Sequence, residues 1–340
     1  YGVIGNTLYF SANDGTNAYE LWKSDGTTSG TVMVKDINSG GGSSLFYTSI
    51  STVVGNTLYF RADDGVHGNE LWKSDGTASG TVMVKDINAS GNSFGYIGPP
   101  PFMATIGNTL YFSAIDGTNG NELWKSDGTA SGTVMVKDIN ANGNSFSNPQ
   151  HLTPIGNTLY FSADDGTNGR EVWKSDGTSS GTVMVKDINS IGDGFPTYNR
   201  FMALGNTTYF FADDGTNGLE LWRTDGTTSG TEMVENIGTG SASGIIGVRN
   251  LATMGNNLYF IADDGTNGRE LWTLSGGSGS GSTTNVTGAT CTVSPSLPTG
   301  LSIDSSTCTI SGTPTVESVN QTYTVTAVIS GVTYQGSVWL

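Results

Sequence analysis

A segment of about fifty residues recurs six times in the first 280 residues, and this repeat constrains the fold more than any other feature. Gly-Asn-Thr-Leu-Tyr-Phe, with small variations, begins at Gly5, Gly55, Gly107, Gly156, Gly205 and Gly255. A Glu-Leu-Trp or Glu-Val-Trp follows each time, with its tryptophan at Trp22, Trp72, Trp124, Trp173, Trp222 and Trp272. Gly-Thr-Val-Met-Val-Lys-Asp-Ile-Asn opens at Gly30, Gly80, Gly132 and Gly181, and a decayed copy opens at Gly230.

Each unit reads as four short strands, a to d. In the second unit, strand a spans about 48–54 and strand b about 57–62, where Leu58 and Phe60 alternate with Thr57 and Tyr59. Turn chemistry around Asp64-Gly65 leads to strand c near 70–74, and Asp75-Gly76 leads to strand d near 81–87. One such sheet cannot bury both of its faces. Sheets stacked side by side can, so the chain is expected to be all-β, with a β-propeller of six blades over residues 1–280. An open β-solenoid is the alternative. The ends are imperfect: the first unit has only a stub of strand a at residues 1–4, and the sixth lacks Val-Met-Val-Lys-Asp-Ile. Residues 282–287 fall where its strand d should lie, as a degenerate strand or a linker. A six-bladed ring is expected, either closing on these imperfect ends or with an N-terminal segment ahead of residue 1 supplying the outer strand.

Composition narrows the functional classes. Glycine contributes 50 of 340 residues, and the net charge is -16. A helical bundle is excluded by the wealth of Gly, Thr, Ser and Asn. Capture of nucleic acid or an anionic membrane needs a cationic face, which this charge opposes. No run of apolar residues is long enough for a membrane-spanning helix. No signal peptide is visible, so the sequence reads as a mature or excised product.

Glu-Leu-Trp-Lys-Ser-Asp-Gly-Thr at Glu20, Glu70 and Glu122, with variants at Glu171 and Glu220, resembles the ELWxxDGT repeat family. That resemblance covers about residues 1–275. It implies a propeller-like fold and a place in large secreted or surface proteins of bacteria and archaea, with no common catalytic activity. Residues 284–340 resemble the Ig-like domain of prokaryotic surface proteins, through Ser294-Pro-Ser-Leu-Pro-Thr-Gly-Leu-Ser-Ile303 and Thr309-Ile-Ser-Gly-Thr-Pro314. A small Ig-like β-sandwich is therefore expected at 281–340. Cys291 and Cys308 both lie in it, and Cys308 stands where the family pattern has Gly. Two cysteines in one small module of an exported chain imply a disulfide, with two buried thiols as the alternative.

Chemistry is sparse. His67 in a turn and His151 ahead of strand a of the fourth unit assemble no nucleophilic set and read as surface or polar-turn residues. Zinc has no ligand cluster. The acids repeat: Asp63, Asp64 and Glu70 recur as Asp164, Asp165 and Glu171, as Asp213, Asp214 and Glu220, and as Asp263, Asp264 and Glu270. Such repetition reads as architecture, with Asp-Gly making the turn and Glu holding backbone N–H groups. Ca²⁺ in these hairpins is the alternative, since Asp and Glu offer oxygens without the spacing of an EF-hand. The tryptophans read as inter-blade core, with a sugar-binding row as the alternative. Glycosylation signals occur at Asn88, Asn206, Asn285 and Asn320.

The expectation is an extracellular or cell-surface structural protein, a filament, surface-layer or adhesin subunit, joining copies of itself through β-strand edges. The chain's end within a strand-like pattern adds to it. The alternative is a propeller module binding a glycan or protein through the variable loops after strand d. A chain without enzymatic activity is expected. The repeat-breaking Arg61, Arg200, Arg249 and Asp193 are the only hints of a central-channel site.

Overall fold

The structure is a computed structural model that describes residues 2–45, 51–94, 103–141, 147–196, 199–245, 251–266, 268–275, 283–285, 290–303, 305, 310–312, 322–329 and 332–339. Every regular element among them is a β-strand. Six four-stranded antiparallel sheets follow one another along the chain, each with its strands side by side in sequence order. In blade 2 the strands are Ser51–Val54, Thr57–Asp63, Asn69–Ser74 and Val82–Lys85. The first strands of successive blades touch one another in blades 1 to 4 and again in blades 5 and 6. Strand a is therefore the inner strand of a propeller-type stack.

The period-two pattern of strand b sends its side chains to opposite neighbours. Leu58, Phe60 and Ala62 of blade 2 are fully buried against Tyr9, Leu21, Val34 and Ile37 of blade 1. Tyr59, on the other face, joins Leu71, Val84 and Ile87 of blade 2 against Leu110, Phe112 and Trp124 of blade 3. The same pairing recurs between blades 3 and 4, 4 and 5, and 5 and 6. Each large buried side chain contributes on the order of 1.5–3 kcal/mol. The stack, not any single sheet, is thus the cooperative unit.

Six blades share five such cores. Among the described residues no sixth cluster joins blade 6 to blade 1. Leu8, which corresponds to the fully buried Leu58, is 48% exposed, and Phe10, Ala12 and Trp22 are only partly covered. Thr283–Asn285 pairs with Arg269–Ser275 and is the degenerate fourth strand of blade 6. The sheet of blade 6 therefore crosses the boundary expected at 280. Beyond it, Thr290–Ser294, Thr322–Ile329 and Val332–Trp339 form a three-stranded sheet, and Leu301–Ile303 pairs with Ile310–Gly312, giving the two sheets of a small Ig-like module.

Candidate functional site

The acidic positions separate into two kinds. In each Asp-Asp-Gly hairpin the first aspartate accepts from the glycine N–H and the second from the next two amides. Asp63 Oδ1 takes Gly65 N at 2.7 Å, and Asp64 Oδ1 takes Val66 N and His67 N at 2.9 Å. Asp164 and Asp165, Asp213 and Asp214, and Asp263 and Asp264 serve the same turn. The glutamates point the other way. Glu20, Glu70, Glu122, Glu171 and Glu220 are fully buried.

Each buried glutamate clamps the loop that leaves strand d. Glu70 accepts from Ile87 N at 2.9 Å and from Ser93 Oγ at 2.5 Å, and Glu122 from Ile139 N at 2.9 Å and Ser147 Oγ at 2.7 Å. Glu220 holds Ile237 N, Gly238 N and Gly244 N. The clamped loop then captures the next blade: the Ser147 carbonyl accepts from Asp164 N at 3.0 Å, and the Ser93 carbonyl from Ile115 N at 2.8 Å. The glutamate thus acts across a blade boundary. Among the described residues no group of three or more His, Cys, Asp or Glu is placed to hold a metal. In these hairpins the turn aspartates and the clamp glutamates hold different backbone partners. In blade 6, Glu270 is only partly buried, and its Oε2 has no hydrogen-bond partner among the described residues.

Burial pushes Glu70, Glu122 and Glu171 up to about 7, and raises Glu20 and Glu220 as well. A folded state that binds these protons more tightly than the unfolded chain is stabilised at low pH. That contribution is complete below about 4.5, the ordinary glutamate value, and is lost as pH rises through about 7. The turn aspartates Asp75, Asp127 and Asp176 are held low by hydrogen bonds from Thr77, Thr129 and Thr178, and their contribution is lost only on acidification below the usual aspartate range. Thermal stability should therefore peak at mildly acidic pH and fall toward pH 8. Replacing Glu70, Glu122 and Glu171 with Gln should flatten the alkaline limb in a melting series, which self-repulsion of the -16 charge alone would not do.

A second repeated device has a plain sequence signal. The chain has eight lysines, and all of them occupy two positions of the repeat: after the tryptophan and at the end of Val-Met-Val-Lys. Lys23 and Lys35 of blade 1 donate to the carbonyls of Gly76 and Thr81 in blade 2 at 2.7 and 2.8 Å. Lys73 and Lys85 reach Gly128 and Thr133, Lys125 and Lys137 reach Gly177 and Thr182, and Lys174 and Lys186 reach Gly226 and Thr231. The second lysine of each pair also lies over the next tryptophan, as Lys35 does over Trp72 at 5.8 Å to the ring centroid. The lysine clasp stops at blade 5, where Arg223 pairs with Glu232 and Glu235 ends the fourth strand. Trp72, Trp124, Trp173, Trp222 and Trp272 are buried between blades, so they form no exposed sugar-stacking row.

His151 departs from expectation. It lies within Gln150–Ile155, is only 2% exposed, and its Nδ1 sits 3.2 Å from Ser162 Oγ. Arg170 Nη1 reaches the Asn148 carbonyl at 3.0 Å and Ser162 Oγ at 3.4 Å. Burial and the Arg170 charge depress the imidazole to about 4, so it is neutral at physiological pH. His67, by contrast, sits in its turn against Asp64 Oδ2 at 2.8 Å. Asp193 caps the Arg170 amide and Arg200 is exposed, while Arg249 lies outside the described residues. Asn88, a glycosylation candidate, is buried, and its amide donates to the Asn92 carbonyl. Asn206 is exposed in the turn between the first two strands of blade 5. The Asn285 side chain and Asn320 lie outside the described residues. Cys291 is buried and no cysteine among the described residues is free, while Cys308 lies outside them.

A family model described as "Putative Ig domain" matches residues 272–338. No curated protein matches the sequence. Among solved structures, a puromycin hydrolase mutant complexed with PGG is 14% identical with a TM-score of 0.43, covering 99% of this chain and 51% of its own. A puromycin-hydrolyzing peptidase of Mycobacterium tuberculosis is 10% identical with a TM-score of 0.42, covering 83% and 44%. An uncharacterized protein of Listeria monocytogenes EGD-e is 11% identical with a TM-score of 0.38, covering 68% and 66%. The chain thus spans about half the length of that hydrolase mutant. These scores carry no argument about mechanism, and the fold rests on the sheets themselves. Hydrolases stand among these structural neighbours, and the expectation of a chain without enzymatic activity is withdrawn.

Proposed function

We propose that the chain is an ELWxxDGT-type structural module of the cell exterior that joins copies of itself through β-strand edges and domain contacts. The observation that carries this reading is Val332–Trp339, an eight-residue strand that pairs on one side only among the described residues. An unpaired edge of that length is a template for another strand. The internal use of the clamp glutamates and buried tryptophans supports it, since both are spent joining blade to blade. The glycan-binding alternative loses the tryptophan row and keeps only the variable loops. Electron microscopy and sedimentation at rising concentration test the proposal. Polymers that disappear when Pro is placed at Val338, on the strand edge, support it, and a monomer at all concentrations contradicts it.

The small module is stapled, in this reading, by a disulfide between Cys291 and Cys308. Its intact mass should be two hydrogens below that of the reduced chain. Replacing both cysteines with Ser should lower the stability of the module by about 3 kcal/mol in the chain-entropy account, measured as an earlier melt of that part alone.

A further inference from the structure

Blade 1 carries a complete receiving face on which none of the described residues is seated. In blades 2 to 5 this face has four receptors for the blade before it. The Asp-Gly-Thr glycine, at positive φ, lies under the preceding blade's tyrosine: Gly76 under Tyr9, Gly128 under Tyr59, Gly177 under Tyr111 and Gly226 under Tyr160. The carbonyl of that glycine and that of a threonine five residues on each take a lysine. The tryptophan takes the second lysine over its ring. The glycine of the earlier hairpin lies against an asparagine, as Gly65 does against Asn38, Gly117 against Asn88 and Gly215 against Asn189.

Blade 1 has every one of these groups: Gly15, Trp22, Gly26 and Thr31. Among the described residues nothing lies within 4 Å of where a Cβ would stand on Gly15 or Gly26. All eight lysines are engaged by blades 2 to 5, so none serves the Gly26 or Thr31 carbonyl. Leu8 is 48% exposed where Leu58 is 0%.

We propose that this face is a docking surface for a further blade of the same repeat, lying outside residues 1–340 and presenting one tyrosine, two lysines and one asparagine. The tyrosine and the two lysines of the occupant are read from four filled copies of the same surface in this chain, and the asparagine from three. Blade 6 of a second copy does not fit. It keeps Tyr259 but has Thr273 at the first lysine position and no lysine in Thr283–Asn285. The inference deepens the assembly reading and rests on it for its role, but its test is separate from the strand-edge test.

The experiment uses the full chain, with a copy of residues 51–101 fused ahead of Tyr1 and the tryptophan of that copy changed to Phe. Trp22 is the reporter, its share of acrylamide-quenchable emission being defined by Trp22→Phe in the unextended chain. Docking is expected to abolish that share. Changing the two lysines of the added copy to Ala should restore it. An unchanged Trp22 signal overturns the proposal. So does an added blade that stays unfolded by circular dichroism, because blade 1 itself folds with one face covered and the other open. If the unextended chain self-associates and Leu8→Glu abolishes this, a second copy is the occupant and the proposal fails. Loss of polymers in microscopy with Trp22 still shielded would count against the assembly reading alone.

Discussion

Gly177→Ala is expected to cost about 3 kcal/mol of stability, whereas Gly26→Ala, at the same place in the repeat, should cost about 1 kcal/mol. Both glycines sit at positive φ, +85° and +90°, so both substitutions strain the backbone alike. They differ in what the new methyl meets. At Gly26 it enters open space, while at Gly177 it lands well inside contact distance of the Tyr111 hydroxyl. A hydroxyl at the end of a free side chain could swing away. Tyr111 is 5% exposed and packed in the core between blades 3 and 4, so its ring can move only by disturbing that core. Denaturant titration of the two variants measures the difference. Equal losses would show that the contact across the blade boundary is not rigid, or that blade 1 is covered after all.

Glu122→Ala should cost about as much, and for a different reason. It strands the Ile139 amide without that acceptor and leaves the Ser147 hydroxyl only the Asn121 carbonyl, and a buried unpaired donor costs about 1–3 kcal/mol. The damage should also spread. Ser147 holds Asp164 of blade 4 through its carbonyl, so a loosened loop weakens the joint between the two blades. Glu122→Gln keeps an acceptor oxygen and should retain most of the stability. Hydrogen exchange separates the accounts: in the Ala variant the amides of Ile139 and Asp164 should both exchange faster, while those of blade 6 stay unchanged. Acceleration confined to Ile139 would mean that the clamp serves only its own blade.

The strands were legible because their causes are local. Alternation of Leu58 and Phe60 with Tyr59 and the Asp-Gly turns fix hairpins whatever surrounds them. The clamp role of glutamate was legible for the same reason, since it recurs beside each tryptophan. His151 was not. Its burial comes from Asn148, Ser162 and Arg170 meeting around it, two of them on other strands. The open face of blade 1 left no local trace either. Leu8 and Leu58 stand in the same Asn-Thr-Leu-Tyr-Phe motif, and only the presence of a neighbour makes one exposed and the other buried. The signal that was present and overlooked is the placement of lysine. Its loss at Arg223, Glu235 and Thr273 marks where the clasp ends.

Hydroxyl-radical footprinting of Leu8, Leu58, Leu110, Leu159 and Leu258, resolved by mass spectrometry, tests the stack most directly, because these five leucines share one motif position and differ only in what covers them. Fast labelling of Leu8 with protection of the other four is predicted. Equal protection of all five would mean that blade 6 closes onto blade 1, and equal labelling would mean that the blades do not cover one another.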